Sequence, residues 1–306
     1  MGGKYRLHDL YQQITPEAEE WFAESAKRHG FEAGNKYFEQ KHVLWACLIF
    51  PNARNDRIFD AIKFTYVIVQ FDDFIDDSPD SEISEELLDE YSSEIEKLDE
   101  GEPWMPNLPR LKMIAEFMEY MQLKMTPDQF DQFIKDFKCY LEIGILARRE
   151  RGRLSFNNLD ELINARRSHG GNVTTAIAWY AMGADGLDRN FWEDPTVKRL
   201  KDLYFDLSLA ANDIYSFKKE DKNDGINYVI HFCKHEANGD LERAVKMTRD
   251  IIDNWYALFL KLVAEVKQRE DNYKEDANKI ILYMENFNPG CIEFAFASKR
   301  YKGSSD

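Results

Sequence analysis

Apolar residues recur along nearly the whole chain at the three- and four-residue intervals of an amphipathic helix, rather than with the alternation of a half-buried strand. Glycine is sparse, with 15 among 306 residues, and dipeptides that close β-hairpins are few. The sequence therefore predicts an all-α fold. The periodicity places helices near 16–29, 35–49, 55–76, 84–99, 107–121, 127–151, 159–183, 190–220, 225–236, 239–269, 273–286 and 290–301.

Local signals set the expected ends of these helices. Thr15 is expected to cap the first helix, with Pro16 at its first position and Gly30 at its end. Proline, glycine and clustered polar residues mark the gaps between helices. The expected breaks fall at 51–56, 77–82, 100–109, 183–188 and 287–290.

No gap between the predicted helices is long enough, or biased enough in composition, to be a linker between two domains. Residues 1–306 are therefore expected to form one domain with flexible ends at 1–15 and 302–306. The N-terminal sequence lacks the apolar core of a signal peptide. The longest apolar stretch, 43–50, is far too short to span a membrane. Four scattered cysteines without a CxxC pair indicate reduced thiols, which favours a cytoplasmic protein.

Charge and composition restrict the partners of this chain. A net charge of -16 repels phosphate backbones, which argues against nucleic-acid binding. An anionic substrate would need local positive charge, from a metal ion or from clustered arginine and lysine. The hydrophobic share of 44% is ample for a core, and the aromatic share of 14% would also suit a pocket that holds a cation against ring faces.

The first of two acidic stretches, FDDFIDD at 71–77, ends a strongly apolar helix. On a helix, Asp72 and Asp76 share a face, as do Asp73 and Asp77. Carboxylates this close repel one another, and a hard cation such as Mg²⁺ would neutralise them together with substrate phosphate. The alternative is a solvated acidic helix end. Acids at a helix C-terminus oppose the macrodipole, so local stability gains nothing from them.

The second stretch, NDIYSFKKE at 212–220, offers three oxygen ligands on one helix face. Asn212, Ser216 and Glu220 are spaced four residues apart, so they fall within roughly 80° of one another along two turns. Lys219 stands beside them and would meet a phosphate. The alternative is a polar face on a surface helix, but the preceding LYFDLSLAA is apolar and small, as in a deeply placed helix.

These motifs resemble those of class I terpene synthases of the microbial type. FDDFIDD is similar to the aspartate-rich motif, and NDIYSFKKE matches the second metal motif, Asn-x-x-x-Ser-x-x-x-Glu. Arg166 lies 46 residues before Asn212, where such enzymes carry an arginine that senses the diphosphate. Arg300 and Tyr301 match their terminal Arg-Tyr pair. The resemblance extends from about residue 40 to 301 in order and spacing.

The sequence also departs from the family pattern. Many relatives have a tryptophan where this chain has Phe294. His169 replaces the acidic or hydroxyl residue that often follows the sensor, and Gly170 then falls at the effector position, whose carbonyl assists ionisation in the family. Arg167 competes with Arg166 for the sensor role, and spacing alone favours Arg166.

The resemblance implies a single-domain α-helical bundle around a central apolar cavity, with three bound Mg²⁺ ions and Mn²⁺ as a substitute ion. Asp72, together with Asp76, would hold two of the ions, and Asn212, Ser216 and Glu220 would hold the third. The residues expected to contact the substrate diphosphate are Arg166, Lys219, Arg300 and Tyr301, with catalytic help from the Gly170 carbonyl.

Aromatic residues on or just before the motif helices are candidates for the pocket wall that stabilises a carbocation. Core packing is an alternative reading for each of them. Trp45 and Phe294 are the preferred pair. The full set comprises Trp45, Tyr66, Phe71, Trp179 and Phe294.

The resemblance implies a lyase that ionises a linear isoprenyl diphosphate and releases diphosphate. Farnesyl diphosphate, converted to a sesquiterpene hydrocarbon or alcohol, is the expected substrate. The alternatives are geranyl or geranylgeranyl diphosphate, a prenyl-chain-elongating synthase, and, from another class, a non-catalytic helical scaffold. A homodimer is left open.

Overall fold

A computed structural model describes residues 5–98, 103–150, 156–168, 172–220 and 226–298, with the backbone alone at 36, 77, 168, 172 and 218–220. These residues form helices and no β-strand, which confirms the all-α prediction. None of the described helices is both long and apolar enough to cross a membrane. The helices are α1 (Tyr11–Arg28), α2 (Asn35–Glu39), α3 (His42–Ile49), α4 (Ile58–Asp77), α5 (Glu85–Glu96), α6 (Pro109–Gln122), α7 (Pro127–Arg149), α8 (Leu159–Ser168), α9 (Asn172–Ala181), α10 (Arg189–Glu193), α11 (Pro195–Glu220), α12 (Tyr228–His235), α13 (Leu241–Lys267) and α14 (Lys274–Ala297).

The first helix starts earlier than the sequence predicts. Helix α1 begins at Tyr11, and the Thr15 hydroxyl donates to the Tyr11 carbonyl at 2.7 Å instead of capping the helix. Pro16 is therefore internal, where it removes one backbone donor. The predicted end is confirmed, because Gly30 takes a φ of 84°, a left-handed conformation that favours glycine.

The segment before α1 is packed rather than loose. The His8 backbone N–H donates to the Cys47 carbonyl at 3.1 Å, and the His8 ring lies 3.1 Å from the Ala53 carbonyl oxygen. His8 is buried by these contacts. His8 thus anchors the chain against α3 and the loop that follows it, before α1 begins.

Other boundaries also differ from the prediction. The predicted break at 287–290 is wrong, because α14 continues through Pro289. The predicted helix at 35–49 divides where Lys41 takes a left-handed conformation with a φ of 59°. The predicted helix at 190–220 divides at Asp194, whose carboxylate accepts hydrogen bonds from the backbone N–H groups of the first turn of α11.

Ring contacts fix the direction of three neighbouring helices. Helix α3 runs antiparallel to α14, since His42 lies beside Phe294 at one end and Phe50 stacks on Tyr283 towards the other. Helix α11 runs parallel to α14, since the Tyr204 and Tyr283 hydroxyls are 2.8 Å apart, whereas Tyr215 meets Phe296 near the C-terminal ends. The C-terminal ends of α11 and α14 therefore lie beside the start of α3.

Helix α4 joins the same end of the bundle. A short loop joins the end of α3 at Ile49 to the start of α4 at Ile58, and Tyr66, further along α4, lies 6.0 Å from His42, between ring centroids, at the start of α3. Helix α7 runs parallel to α4, because the Tyr140 hydroxyl donates to the Ile68 carbonyl at 3.2 Å and Arg148 reaches the residues that end α4. One end of the bundle thus collects the C-terminal ends of α4, α7, α11 and α14. We call it the motif end.

Candidate active site

The aspartate-rich motif occupies the last two turns of α4. Asp72 and Asp76 are half-buried, as expected of two residues that share one helix face. Asp73 is buried, with an exposure of 1%, so it faces the protein interior. Asp77 is described by its backbone alone. Within the described part of the motif, Asp72 and Asp76 are therefore the carboxylates open enough to receive an ion.

Arg148, which the sequence analysis did not single out, supports the C-terminal end of α4. Its guanidinium donates to the carbonyls of Asp76 and Ser78 at 3.4 and 3.0 Å, and to the Asp80 carboxylate at 2.8 Å. A cation at a helix C-terminus stabilises the negative end of the dipole. The unfavourable placement of acids at this end of α4 is thus offset by an arginine from α7.

The second motif lies in the last turns of α11. Asn212 is half-buried and Ser216 is buried, with an exposure of 3%. The Ser216 hydroxyl has no hydrogen-bond partner among the described residues. Glu220 and Lys219 belong to the last turn of α11, and their side chains are outside the described residues. A buried hydroxyl without a partner costs free energy unless a ligand satisfies it, so this helix face fits a cation-binding role.

The two motifs lie at the same end of the bundle. Tyr66 and Phe294 both contact His42, which links α4 to α14, and Phe296 contacts Tyr215, which links α14 to α11. Among the described side chains, no three of His, Cys, Asp or Glu gather closely enough to form a metal-binding group. Oxygen ligands from amide, hydroxyl and substrate phosphate groups would therefore have to complete any Mg²⁺ site here.

The two arginines proposed as diphosphate sensors both pair with acids on α11. Arg166 donates to the Asp213 carboxylate at 2.5 Å, and both groups are buried. Arg167 makes two hydrogen bonds to the Asp206 carboxylate, at 2.7 and 2.5 Å. Burial raises the pKa of the Asp206 carboxyl, although Arg167 acts in the opposite direction. Two further residues of the sequence-based site, Arg300 and Tyr301, lie outside the described residues, as does Gly170.

Two of the candidate aromatic residues form a pair at the motif end. The rings of Trp45 and Phe294 stack with their centroids 5.8 Å apart and an interplanar angle of 25°. Tyr66 is buried and stacks on Phe22 of α1 with the ring centroids 4.3 Å apart, so its ring is part of the core. Its buried hydroxyl has no hydrogen-bond partner among the described residues.

The other two aromatic candidates pack against neighbouring helices. The ring of Phe71 lies against Gly144 of α7, so that a β-carbon added at Gly144 would be 3.3 Å from the ring. Trp179 contacts Trp192 at 5.5 Å and donates to the Ala184 carbonyl at 2.8 Å. Tyr180, the next residue of α9, donates to Asp60 in the first turn of α4, so this contact lies opposite the motif end. Core packing accounts for both residues.

Comparison with known proteins decides the family. The family model described as terpene synthase family 2, C-terminal metal binding, matches residues 63–258, which is more than half of the chain. The chain belongs to this family. A terpene synthase is a lyase that acts on a diphosphate ester, so this protein is an enzyme and the scaffold alternative is wrong. The name of the family indicates that a metal ion is used.

Individual terpene synthases resemble the chain over most of its length. Microbial Terpene synthase-like protein 13 of Selaginella moellendorffii is 21% identical over 305 residues, covering 97% of this chain and 84% of the relative. Sesquiterpene synthase Agr1 of Cyclocybe aegerita is 20% identical, covering 99% and 86%. A variant of cucumene synthase has the same fold, with a TM-score of 0.83 at 16% identity and 99% coverage of both chains. These matches show the class I terpene synthase fold.

Proposed function

We propose that this terpene synthase ionises farnesyl diphosphate in the presence of Mg²⁺ and releases diphosphate and a sesquiterpene. The buried Ser216 hydroxyl carries the proposal. It lies one turn after Asn212 on α11, at the end of the bundle where α4 ends in Asp72 and Asp76. A hydroxyl in this position gains a partner when a hard cation binds.

The residues present suit Mg²⁺. Asp72 and Asp76 would hold ions on the α4 side, and Asn212, Ser216 and Glu220 would hold an ion on the α11 side. Bound Mg²⁺ supplies Lewis-acid stabilisation of the charge that develops on the leaving diphosphate. We propose three ions, as in the family pattern, with Mn²⁺ as a substitute.

The basic side chains of the chain would bind and orient the diphosphate. Arg166 is a strong candidate because its guanidinium is already held against α11, one residue beyond Asn212. Lys219, Arg300 and Tyr301 are proposed to donate to the same group. Breaking the carbon–oxygen bond sends its electron pair to the diphosphate and leaves an allylic cation in the pocket.

The pocket wall would then control the cation. The stacked rings of Trp45 and Phe294 present π-faces at the motif end, and each desolvated cation–π contact contributes about 2 kcal/mol. Exclusion of water by the surrounding apolar side chains delays capture of the cation. The product is a hydrocarbon if the cation loses a proton, and an alcohol if water adds.

Farnesyl diphosphate is favoured over shorter and longer substrates because a relative that matches nearly the whole chain is a sesquiterpene synthase. Geranyl and geranylgeranyl diphosphate are the alternatives. Chain elongation is disfavoured because 212–220 has the Asn-x-x-x-Ser-x-x-x-Glu pattern in place of a second aspartate-rich motif. We take residues 1–306 as one domain that carries the whole reaction.

The proposal is tested by incubating the purified protein with each of the three diphosphates, with and without Mg²⁺. Diphosphate release and volatile products are measured together. We expect Mg²⁺-dependent release from farnesyl diphosphate and a fifteen-carbon hydrocarbon or alcohol. A longer prenyl diphosphate would identify an elongating enzyme, and preferred turnover of another chain length would overturn the choice of farnesyl diphosphate.

A further inference from the structure

Two consecutive arginines attach α8 to α11 through two buried carboxylates. Arg166 pairs with Asp213, and Arg167 pairs with Asp206. Asp206 and Asp213 are seven residues apart and therefore lie on the same face of α11, two turns from each other. Both are almost completely buried, with exposures of 1% and 0%. Buried carboxylates require such partners because desolvation of an unpaired charge is costly.

Asp213 differs from Asp206 in what else it holds. While Oδ1 of Asp213 accepts from Arg166, Oδ2 accepts from the backbone N–H of Tyr228 at 2.7 Å. The Asn227 amide donates to the Asp213 carbonyl at 3.3 Å, and Asn227 also caps α12. Asp213 thus joins three elements, which are α8, α11 and the start of α12.

The position of Asp213 in the chain gives this junction a consequence for the reaction. It directly follows Asn212, the first proposed ion ligand of α11, whereas Asp206 precedes Asn212 by six residues. A side chain that fixes Arg166 to this point of α11 also fixes the spacing between the guanidinium and the ion-binding face. A diphosphate can contact the guanidinium and the ion-binding face at the same time only if that spacing is correct.

We infer that Asp213 is a positioning residue that holds Arg166 in register with Asn212 for binding the diphosphate, and that Arg166 rather than Arg167 is the diphosphate contact. This inference rests on the proposed function. The Arg167–Asp206 pair has a structural role only, which is to hold the same two helices together. It therefore supplies a matched control within the same pair of elements.

Asp213→Asn and Asp206→Asn separate the two pairs, since each substitution removes one carboxylate charge at nearly constant volume. We measure kcat, KM and the inhibition constant of inorganic diphosphate with Mg²⁺. We expect Asp213→Asn to lower kcat and to weaken diphosphate inhibition, each by about 10- to 100-fold, the scale of a misplaced catalytic contact. Asp206→Asn should stay within about 3-fold of the parent protein in both, which is under 1 kcal/mol.

A double-mutant cycle tests whether Asp213 acts through Arg166. Arg166→Gln combined with Asp213→Asn should be no worse than Arg166→Gln alone, because the second substitution then has nothing left to position. Additive losses would overturn the inference, as would equal losses in Asp213→Asn and Asp206→Asn. An unchanged inhibition constant in Asp213→Asn would also overturn it.

Two further measurements cover the cases in which Asp213→Asn does not fold or the parent protein is inactive. If Asp213→Asn does not fold, Arg166→Gln and Arg167→Gln are compared, and greater loss of diphosphate inhibition in Arg167→Gln would reject the inference. The parent protein is assayed first with farnesyl diphosphate. Absence of diphosphate release there would count against the proposed function, whereas the ranking of variants in an active parent bears on Asp213 alone.

Discussion

Gly290 of α14 lies against the backbone of Leu48 in α3, so closely that a β-carbon at Gly290 would be 2.4 Å from the Leu48 carbonyl oxygen. The neighbouring Pro289 also interrupts the hydrogen-bond ladder of α14. This close approach holds α14 against α3 at a level where Phe294 can reach Trp45, one turn further along.

Gly290→Ala is expected to lower the free energy of unfolding by about 1–3 kcal/mol, because the clash involves backbone and cannot be relieved by a rotamer change. Alanine is favoured over glycine in a helix by about 1 kcal/mol, which offsets the clash only in part. Chemical denaturation measures the change. Gly34→Ala is the control, since a β-carbon at Gly34 meets nothing within 4 Å. A Gly290→Ala protein as stable as the parent would contradict the close packing.

Ser216→Ala is expected to reduce turnover about 10- to 100-fold while leaving the ion-free protein as stable as before. Its hydroxyl has no hydrogen bond to lose among the described residues, so removing it exposes no partner. Thermal unfolding with and without Mg²⁺ and inorganic diphosphate, alongside kcat, checks both statements.

Ser208→Ala is the matched control for Ser216→Ala, because Ser208 lies on the same helix and donates to the Tyr204 carbonyl at 2.8 Å. We expect it to retain the stabilisation that Mg²⁺ and diphosphate confer. Equal loss of that stabilisation in both variants would contradict a specific role for the Ser216 hydroxyl.

Asp136→Asn is expected to stabilise the protein at neutral pH by up to about 1 kcal/mol, the usual size of a single favourable change. Asp136 lies in a small cleft beside Thr175 and Trp179, and burial raises the pKa of its carboxyl above the ordinary 3.8. The folded state then binds the proton more tightly than the unfolded state, so stability falls as pH rises from 3.8 through the raised pKa.

The asparagine variant carries no charge at this position, and its amide oxygen still accepts a hydrogen bond from Gln132, which donates to Asp136 at 2.8 Å. The difference between Asp136→Asn and the parent should therefore shrink as the pH is lowered towards 3.8. Urea unfolding at several pH values measures it. A constant difference across the series would show that the charge is not responsible.

Trp45→Leu is expected to change the product mixture and to lower kcat by about 10-fold or more, because loss of one cation–π contact removes about 2 kcal/mol of stabilisation from the cation. Mass spectrometry of the volatile products measures the change. Trp192→Phe is the control, since this ring packs with Trp179 at the far end of the bundle. Altered products in the control alone would place the pocket elsewhere.

Periodicity was sufficient to predict most helices, because a buried helix must repeat its apolar residues every three or four positions. It failed where long-range packing overrides a local signal. Pro289 predicts a break, yet the contacts of α14 with α3 keep the helix continuous on both sides of it. Thr15 has the chemistry of a cap, yet α1 begins at Tyr11 after the chain is anchored through His8.

The candidate site was only partly visible in the sequence. Asp72 and Asn212 are found because their motifs have a fixed spacing on one helix face. Arg148 lies 72 residues from Asp76, and no motif in the sequence around it indicates a role in the site. Only the parallel packing of α7 on α4 brings the two residues together. Asp213 did leave a signal, since it is, after Asp206, the second acidic residue in the mostly apolar residues 203–215 of α11.

Arg148 has a consequence for anyone who would transplant this aspartate-rich motif. An engineered scaffold that received only the 71–77 segment would lack the guanidinium that binds the last carbonyls of α4. Its final turn would tend to fray under the repulsion of its own acids. A successful graft would have to import a donor from a parallel neighbouring helix along with the motif.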